Sequence, residues 1–252
     1  MVEEILKDLQ VLVLAAGKST RIRSIAGDNP KPLIPIKGLS ILERNLLWLS
    51  EFGIEQVWIN LHYQPEKIEQ QLFKNKNLDL KISFSFEPEI LGTAGGYKNL
   101  EKFWQNTTLV VYGDSLIRFD LEKFVETHFK SKASATIAIF NQDINYNTAI
   151  AGGRVLIDND KKILDFVESA QDTQISLSPL INAGAYLLEP EILKLIPPDT
   201  FFDFAKDLFP KMLEMGYNLQ SYLIDGYCLG LDTPESYTKG INLIESGKVE
   251  LI

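Results

Sequence analysis

Short apolar runs alternate with longer segments of helical spacing through the first 140 residues. The apolar runs are rich in Val, Ile, Leu and Phe, as buried strands are, and they lie at 11–14, 56–61, 81–86, 109–112 and 135–140. Ser40, Pro65 and Asp120 stand where helices begin, each ahead of apolar residues at helical spacing. The alternation predicts parallel strands joined by helical crossovers, which is an α/β fold.

The pattern changes after Gly153, where shorter strands of alternating polarity replace the crossovers. Strands are predicted at 154–157, 163–168, 181–188 and 219–231, with helices around 191–195, 204–215 and 234–246. No shift in composition marks a linker, so 1–252 is predicted to be a single domain with two halves, 1–140 and 141–252. The length and the 45% hydrophobic content suffice for one large core.

Charge and cysteine content narrow the classes of protein. The formal net charge of −9 argues against nucleic acid or an anionic membrane as partner, because both need basic patches. A single cysteine, Cys228, excludes an intramolecular disulfide. The acidic start of the chain is unlike a signal peptide, and no apolar stretch is long enough to span a bilayer, so we expect a soluble cytoplasmic protein.

Candidate chemistry follows the first strand. That strand opens into Leu14-Ala15-Ala16-Gly17-Lys18-Ser19-Thr20-Arg21, and Pro30-Lys31-Pro32-Leu33 comes soon after. Small residues let backbone N–H groups approach a polyphosphate, Ser19 and Thr20 add hydroxyl donors, and Arg21 and Lys31 add positive charge. Neither the Walker pattern nor the G-x-G-x-x-G pattern is present. The segment predicts a site for a nucleoside triphosphate.

The two segments resemble the signature loop of the sugar-1-phosphate nucleotidyltransferases, and three further blocks agree with that family. Residues 87–96 resemble its base-binding loop, 110–115 its metal-binding strand end, and 182–186 its sugar-binding strand. The resemblance implies a Rossmann-like three-layer αβα sandwich with a mainly parallel mixed sheet. It also makes 1–140 the nucleotide-binding half and 141–252 the half that binds the sugar phosphate.

The resemblance implies an enzyme that joins a nucleoside triphosphate to a hexose or heptose 1-phosphate with Mg²⁺ and releases pyrophosphate. Arg21 and Lys31 would hold the phosphates and Asp114 the metal, and these three would be the catalytic residues. The implied nucleotide-binding residues are Leu14, Ala15, Ala16, Gly17, Ser19, Thr20, Glu87, Gly92, Thr93, Ala94 and Gly113. The implied sugar-phosphate-binding residues are Gly153, Glu168, Asn182 and Gly184.

Two positions depart from the family pattern. Relatives place a second metal-binding Asp where this chain has Gly230, and Asp232 stands two residues later. Asp232 is therefore either a metal ligand from a shifted place or a cap for the helix at 233–234. Many relatives also use a lysine where this chain has Ser169, which leaves Lys31, or else Arg154, to meet the sugar phosphate.

Glu87 indicates the base. An ionised carboxylate only accepts hydrogen bonds, and guanine offers two adjacent donors, so GTP is favoured, although Glu87 could also be a rim residue. The alternatives are a thymidylyl-, uridylyl- or cytidylyltransferase, and a protein that kept the pocket but lost catalysis, as Gly230 and Ser169 together would allow. The sequence leaves open the identity of the sugar and whether the chain forms a homo-oligomer.

Overall fold

The computed structural model describes residues 2–148, 153–167 and 178–251. Its α-helices in those ranges are α1 (Val2–Asp8), α2 (Arg23–Ala26), α3 (Ile41–Glu51), α4 (Pro65–Lys74), α5 (Gly92–Lys98), α6 (Leu121–Ser131), α7 (Phe209–Glu214) and α8 (Pro234–Glu245). The strands are β1 (Gln10–Leu14), β2 (Pro35–Ile36), β3 (Leu39–Ser40), β4 (Gln56–Leu61), β5 (Lys81–Phe86), β6 (Thr108–Tyr112), β7 (Ser115–Arg118), β8 (Ala135–Asn141), β9 (Arg154–Ile157), β10 (Ile163–Val167), β11 (Leu180–Leu188), β12 (Leu219–Leu223) and β13 (Tyr227–Gly230).

Nine of the described strands form one mixed sheet. β5, β4, β1 and β6 lie side by side in that order and run parallel. β11 runs antiparallel to β6 and to β8, and β8 pairs in parallel with β12. β9 and β10 form an antiparallel pair beside the start of β11. The parallel block corresponds to the first half of the chain, and the sheet turns mixed in the second.

Both faces of the sheet are covered by helices. Val11 and Val13 of β1 face a core shared with α1, α3, α4 and α6, while Leu12 and Leu14 face a second core with α5 and α7. Alternate residues of one strand thus enter opposite cores, as a strand buried on both faces requires. The three-layer αβα arrangement predicted from the sequence is confirmed.

Local signals explain where several helices begin. The Ser40 side chain accepts a hydrogen bond from the Glu43 backbone N–H, and the Glu43 carboxylate accepts one from the Ser40 backbone N–H, so a capping box starts α3. Pro65 opens α4, and the Asp120 side chain caps α6. The predicted positions of these three helices are confirmed.

One predicted strand is wrong, and the error matters for the site. The run 219–231 is not a single strand, because β12 belongs to the main sheet and β13 pairs with β7 in a separate ribbon. The chain turns between them at Gly226, where a Cβ atom would lie 1.9 Å from the carbonyl oxygen of Arg118. The absence of a side chain there lets the second segment fold across to β7.

Two helix predictions in the second half also differ from the structure. The segment Pro190–Leu195 is a 3₁₀ helix, and the predicted helix 204–215 is divided into a π-helical turn, Phe204–Leu208, followed by α7. Within the described residues, no helix is both long and apolar enough to cross a bilayer.

Candidate active site

A cavity of about 330 Å³ opens beyond the carboxyl ends of the parallel strands, where α/β sheets bind ligands. The sequence-predicted residues that line it are Leu14, Ala15, Ala16, Gly17, Ser19, Thr20, Arg21, Lys31, Gly92, Thr93, Asp114 and Asp232. The two segments of the signature loop therefore meet two predicted metal ligands in one place.

Lys31 lies at the centre of a cluster of charges in this cavity. Its Nζ atom donates to Asp114 Oδ2 and to Asp232 Oδ1, each over 2.9 Å. Arg21 reaches the same Asp232 oxygen over 3.2 Å. The Lys31 side chain is only 6% exposed, whereas the two carboxylates are partly open to the cavity. The cluster therefore faces the space where a ligand would bind.

The backbone around Lys31 is fixed by its neighbours in the sequence. Pro30 and Pro32 flank it at the start of a 3₁₀ turn, Lys31–Leu33. The Lys31 backbone N–H donates to Ser19 Oγ over 2.5 Å, and Ser19 itself has a left-handed backbone with φ of 57°. The Ser19 hydroxyl thus joins the two segments of the signature loop, and it keeps a proton to donate.

Asp114 and Asp232 meet because β7 and β13 form a two-stranded antiparallel ribbon. Ser115 pairs with Gly230 in that ribbon, so Asp114, before β7, and Asp232, after β13, stand at the same end. Thr233, not Asp232, caps α8, through a hydrogen bond from the Ser236 backbone N–H. The capping alternative for Asp232 is therefore wrong, and its carboxylate contacts Lys31 and Arg21.

The environment keeps the lysine charged. Burial alone would lower the pKa of Lys31, but attraction to Asp114 and Asp232 outweighs it, and the pKa lies above its ordinary value. An ammonium group shared by two carboxylates persists at neutral pH, and Arg21 adds a second positive charge. Two anions and two cations therefore balance in the cluster when no ligand is bound.

The donors at this point fit a divalent cation. Carboxylate oxygens are hard ligands of the kind Mg²⁺ takes in small number, with phosphate oxygens completing its shell. Asp114 and Asp232 both converge on one cation, the Lys31 ammonium, so a second carboxylate is within reach despite Gly230. Among the described residues, no group of three or more His, Cys, Asp or Glu side chains could hold a metal alone. A metal here would need ligands from the substrate.

Glu87 is placed differently from the sequence expectation. It is fully buried and does not line the cavity; its Oε1 accepts from Asn60 Nδ2 over 2.7 Å and its Oε2 accepts from the Leu91 backbone N–H over 3.0 Å. Burial raises the pKa of Glu87, although both hydrogen bonds oppose the shift. As a correction, this carboxylate is occupied by the protein and is not presented to a base.

Asn60 connects Glu87 to the signature loop. Its Oδ1 accepts from the Ala15 backbone N–H over 2.8 Å, so Glu87, through Asn60, holds the start of the signature loop. Asn60 lines the cavity, and sequence reasoning missed it. A polar residue near the carboxyl end of the apolar run 56–61 was the available signal.

A second hydrogen-bonded set links the two halves of the chain. Thr93 Oγ1 donates to Asp203 Oδ2 over 2.8 Å and accepts from the Phe204 backbone N–H over 2.9 Å, and the Tyr112 ring packs edge-on against the Tyr186 ring. Burial raises the pKa of Tyr112 well above its ordinary value, so its hydroxyl stays protonated. Tyr112 and Asp203 line the cavity and were missed. The signal for Tyr112 was its position in the motif 110–115, next to Gly113. The sequence around Asp203 gave no signal other than that of a helix cap.

The predicted sugar-binding residues are joined to this set. Asn182 Nδ2 donates to Tyr186 Oη over 2.7 Å, and Asn182 Oδ1 accepts from the Gly184 backbone N–H. Gly184 has φ of 74°, and a Cβ there would lie 3.0 Å from the Tyr112 ring. Gly153 accepts from the Asn182 backbone N–H through its carbonyl. None of these three is among the described residues that line the cavity.

Three other predicted or candidate residues, Ala94, Gly113 and Arg154, do not line the cavity. Ala94 and Gly113 are packed in the walls behind the cavity, with Gly113 held against Leu14 by a 2.8 Å backbone hydrogen bond. Arg154 donates to the carbonyl of Ser178 and does not line the cavity. Glu168, like Ser169, lies outside the described residues.

Comparison with known proteins identifies the family. The family model "Nucleotidyl transferase" matches residues 10–247. A UTP–glucose-1-phosphate uridylyltransferase from Synechocystis is 32% identical over 96% of this chain, which spans 65% of that relative's length. A D-glycero-α-D-manno-heptose 1-phosphate guanylyltransferase from Campylobacter jejuni is also 32% identical, over 91% of this chain and 97% of its own.

A solved structure has a similar fold over most of the chain. HddC from Yersinia pseudotuberculosis complexed with GMP-PN is 27% identical, with a TM-score of 0.77 over 93% of this chain and 98% of that one. Family model, relatives and fold agree along nearly the entire sequence. The chain belongs to the nucleotidyl transferase family, whose relatives found here are named as sugar-1-phosphate nucleotidyltransferases.

Proposed function

We propose that this chain transfers a nucleotidyl group from a nucleoside triphosphate to a hexose or heptose 1-phosphate, giving a nucleotide sugar and pyrophosphate. The observation that carries the proposal is the Lys31 ammonium held between Asp114 and Asp232 in the cavity of the signature loop. Positive charge and metal-ligating oxygen are both needed where two anionic substrates must meet.

The chemistry asks for alignment more than for covalent participation by the protein. A phosphate oxygen of the sugar 1-phosphate attacks the α-phosphorus, the new P–O bond forms, and the bond to pyrophosphate breaks with its electron pair leaving on pyrophosphate. Lys31 and Arg21 reduce the repulsion between the two anions and stabilise the charge that develops. Asp114 and Asp232 would hold Mg²⁺, which would supply Lewis-acid stabilisation of phosphate oxygens.

The nucleotide we propose is GTP. The support comes from the names of relatives, since the Campylobacter relative is named a guanylyltransferase and the Yersinia structure is titled as a complex with GMP-PN. The argument from the Glu87 carboxylate no longer contributes, because that group is bonded to Asn60 and Leu91. The Synechocystis relative, named for UTP, makes UTP the first competitor to test.

The experiment follows pyrophosphate release by the full chain with each nucleoside triphosphate and a panel of hexose and heptose 1-phosphates. We expect turnover that needs Mg²⁺ and is highest with GTP. Turnover with UTP and none with GTP would overturn the nucleotide and keep the reaction class. Nucleotide binding without turnover across the panel would instead favour a protein that kept the pocket and lost catalysis.

A further inference from the structure

Phe201 is an aromatic residue at the cavity, in a segment whose other rings are more buried. Its side chain is 61% exposed, Phe202 is half-buried, and Phe204 is fully buried in the core beneath α5. Phe201 also lines the cavity together with Ile90, Gly92 and Thr93. An exposed ring at the wall of a ligand cavity is available for contact with the ligand, unlike an isolated ring on an outer surface.

The backbone that carries this ring is anchored to the loop 87–96. The Phe202 backbone N–H donates to the Leu91 carbonyl over 2.9 Å, and the Phe202 carbonyl accepts from the N–H groups of Ala94 and Gly95, each over 2.9 Å. Thr93 adds its side-chain hydrogen bond to Asp203. The backbone next to the ring is therefore held in place, which limits the main-chain freedom that a contact with a ligand would cost.

Two glycines make this close approach possible. A Cβ atom at Gly92 would lie 2.6 Å from the Phe202 carbonyl oxygen, and one at Gly95 would lie 2.6 Å from the Thr200 carbonyl oxygen. Gly92 also has φ of 74°, which disfavours any other residue. The glycines of the loop thus serve to seat the segment 200–203, and the seating brings Phe201 to the cavity.

The two parts of the cavity wall differ in chemistry. The loop 87–96 and the segment seated on it contribute the apolar Ile90 and Phe201, together with Thr93 and Asp203, which are hydrogen-bonded to each other. The charged cluster of Arg21, Lys31, Asp114 and Asp232 forms the other part of the wall. A nucleotide has the same division, because its base has two apolar faces and its triphosphate is charged. Aromatic rings stack on bases of any sequence, since every base has a π-face.

We propose that Phe201 is the ring on which the base of the bound nucleotide stacks. The assignment rests on the proposed nucleotidyl transfer, and it concerns affinity rather than the choice among bases. Because stacking is tolerant of base identity, Phe201 would strengthen binding of GTP and UTP alike and would contribute nothing to the contacts of the phosphates.

The test compares wild type, Phe201→Ala, Phe201→Tyr and the control Phe73→Ala, whose ring is 79% exposed on α4 outside the cavity. Calorimetric titration of the full chain with GTP, UTP and inorganic tripolyphosphate, all with Mg²⁺ and without sugar phosphate, gives each Kd. Steady-state kinetics then give KM for the sugar 1-phosphate.

Phe201→Ala is expected to raise Kd for both nucleotides by roughly tenfold, and to leave Kd for tripolyphosphate and KM for the sugar phosphate unchanged. Phe201→Tyr restores the ring and is expected to bind as wild type, as is Phe73→Ala. An unchanged nucleotide Kd in Phe201→Ala, a rise for tripolyphosphate, or a change confined to the sugar phosphate would overturn the proposal. Absence of nucleotide binding or turnover in the wild type would instead overturn the proposed function.

Discussion

The acidic side chains in and beside the site differ in their partners, and the pair Asp114 and Asp232 contrasts with Glu87. Asp114 and Asp232 share the Lys31 ammonium and remain partly exposed to the cavity. Glu87 is fully buried, and its partners are the neutral amide of Asn60 and the backbone N–H of Leu91. The pair is balanced by long, positively charged side chains, and Glu87 is bonded into the frame that carries the signature loop.

The difference teaches how to assign roles to acidic residues in such a site. A carboxylate whose partner is a long cationic side chain at a cavity wall can exchange that partner for a metal ion or a substrate. A buried carboxylate that accepts from an amide and a backbone N–H cannot leave them without orphaning both donors, which costs about 1–3 kcal/mol for each. We therefore assign Asp114 and Asp232 to the reaction and Glu87 to the support of the signature loop.

Removal of Asp114 should have the largest effect. In Asp114→Asn, the loss of one anionic ligand should lower kcat/KM for pyrophosphate release on the order of 10²- to 10³-fold, as expected when a metal contributes several kcal/mol. The fold should persist, because Lys31 keeps Asp232 as its partner. Asp79→Asn, which changes an exposed acid between α4 and β5 that does not line the cavity, is the matched control. Turnover of Asp114→Asn at the wild-type rate would remove Asp114 from the mechanism.

Removal of Lys31 should separate metal binding from turnover. In Lys31→Met, the two carboxylates lose their internal cation, so Mn²⁺, as a probe, should bind the nucleotide-free chain about tenfold more tightly or better. Turnover should fall because the substrate phosphates lose the same charge. The measurement is an electron paramagnetic resonance titration with Mn²⁺.

Lys18→Met is the control for that titration, since Lys18 is an exposed cation of the same loop. It removes one positive charge without removing the partner of Asp114 and Asp232. An unchanged or weaker Mn²⁺ affinity in Lys31→Met would show that the lysine does not occupy the place of the metal.

Substitution of Glu87 should have the smallest effect on activity and should act through stability. In Glu87→Gln, the new side-chain NH₂ group faces the N–H of either Asn60 or Leu91, so one of the two hydrogen bonds is lost. The variant also removes a buried charge, which offsets part of that loss. We expect the free energy of unfolding to fall by about 1–2 kcal/mol, seen as a Tm lower by roughly 2–8 °C.

The order of preference among nucleoside triphosphates should not change in Glu87→Gln. Glu89→Gln, an exposed neighbour, controls for loss of charge in this loop. A switch of preferred base with an unchanged Tm would return Glu87 to the role of base reader, and the contrast between Glu87 and the pair Asp114 and Asp232 would then be wrong.

Sequence reasoning predicted the parallel half of the fold closely, because each strand there is a continuous apolar run between clear helix signals. β4 and β5 have the predicted bounds, and the caps at Ser40 and Asp120 lie where expected. The prediction for 219–231 failed because the turn signal Asp225-Gly226 inside the run was not used, and strand patterns do not reveal which sheet a strand joins.

The candidate site was predictable where one local motif supplies the chemistry, as with Arg21, Lys31 and Asp114. It was not predictable where contacts join distant segments. Asp232 was ambiguous because its role depends on the β7–β13 register. Asn60 is bonded to Ala15, 45 residues away, and the neighbour of Phe201, Phe202, is bonded to Leu91, 111 residues away. The role of Glu87 was misinterpreted because the sequence of a binding motif does not show whether its carboxylate contacts the ligand or is buried against neighbouring segments.

The central claim is that Asp114 and Asp232 act together at the place now held by Lys31. A double-mutant cycle tests it most directly, with kcat/KM for pyrophosphate release measured in wild type, Asp114→Asn, Asp232→Asn and the double variant. Because both acids would serve one cation, each single variant should lose at least about 10²-fold, and the double variant little more than the worse single. Wild-type turnover in Asp232→Asn, or losses that simply multiply, would contradict the account.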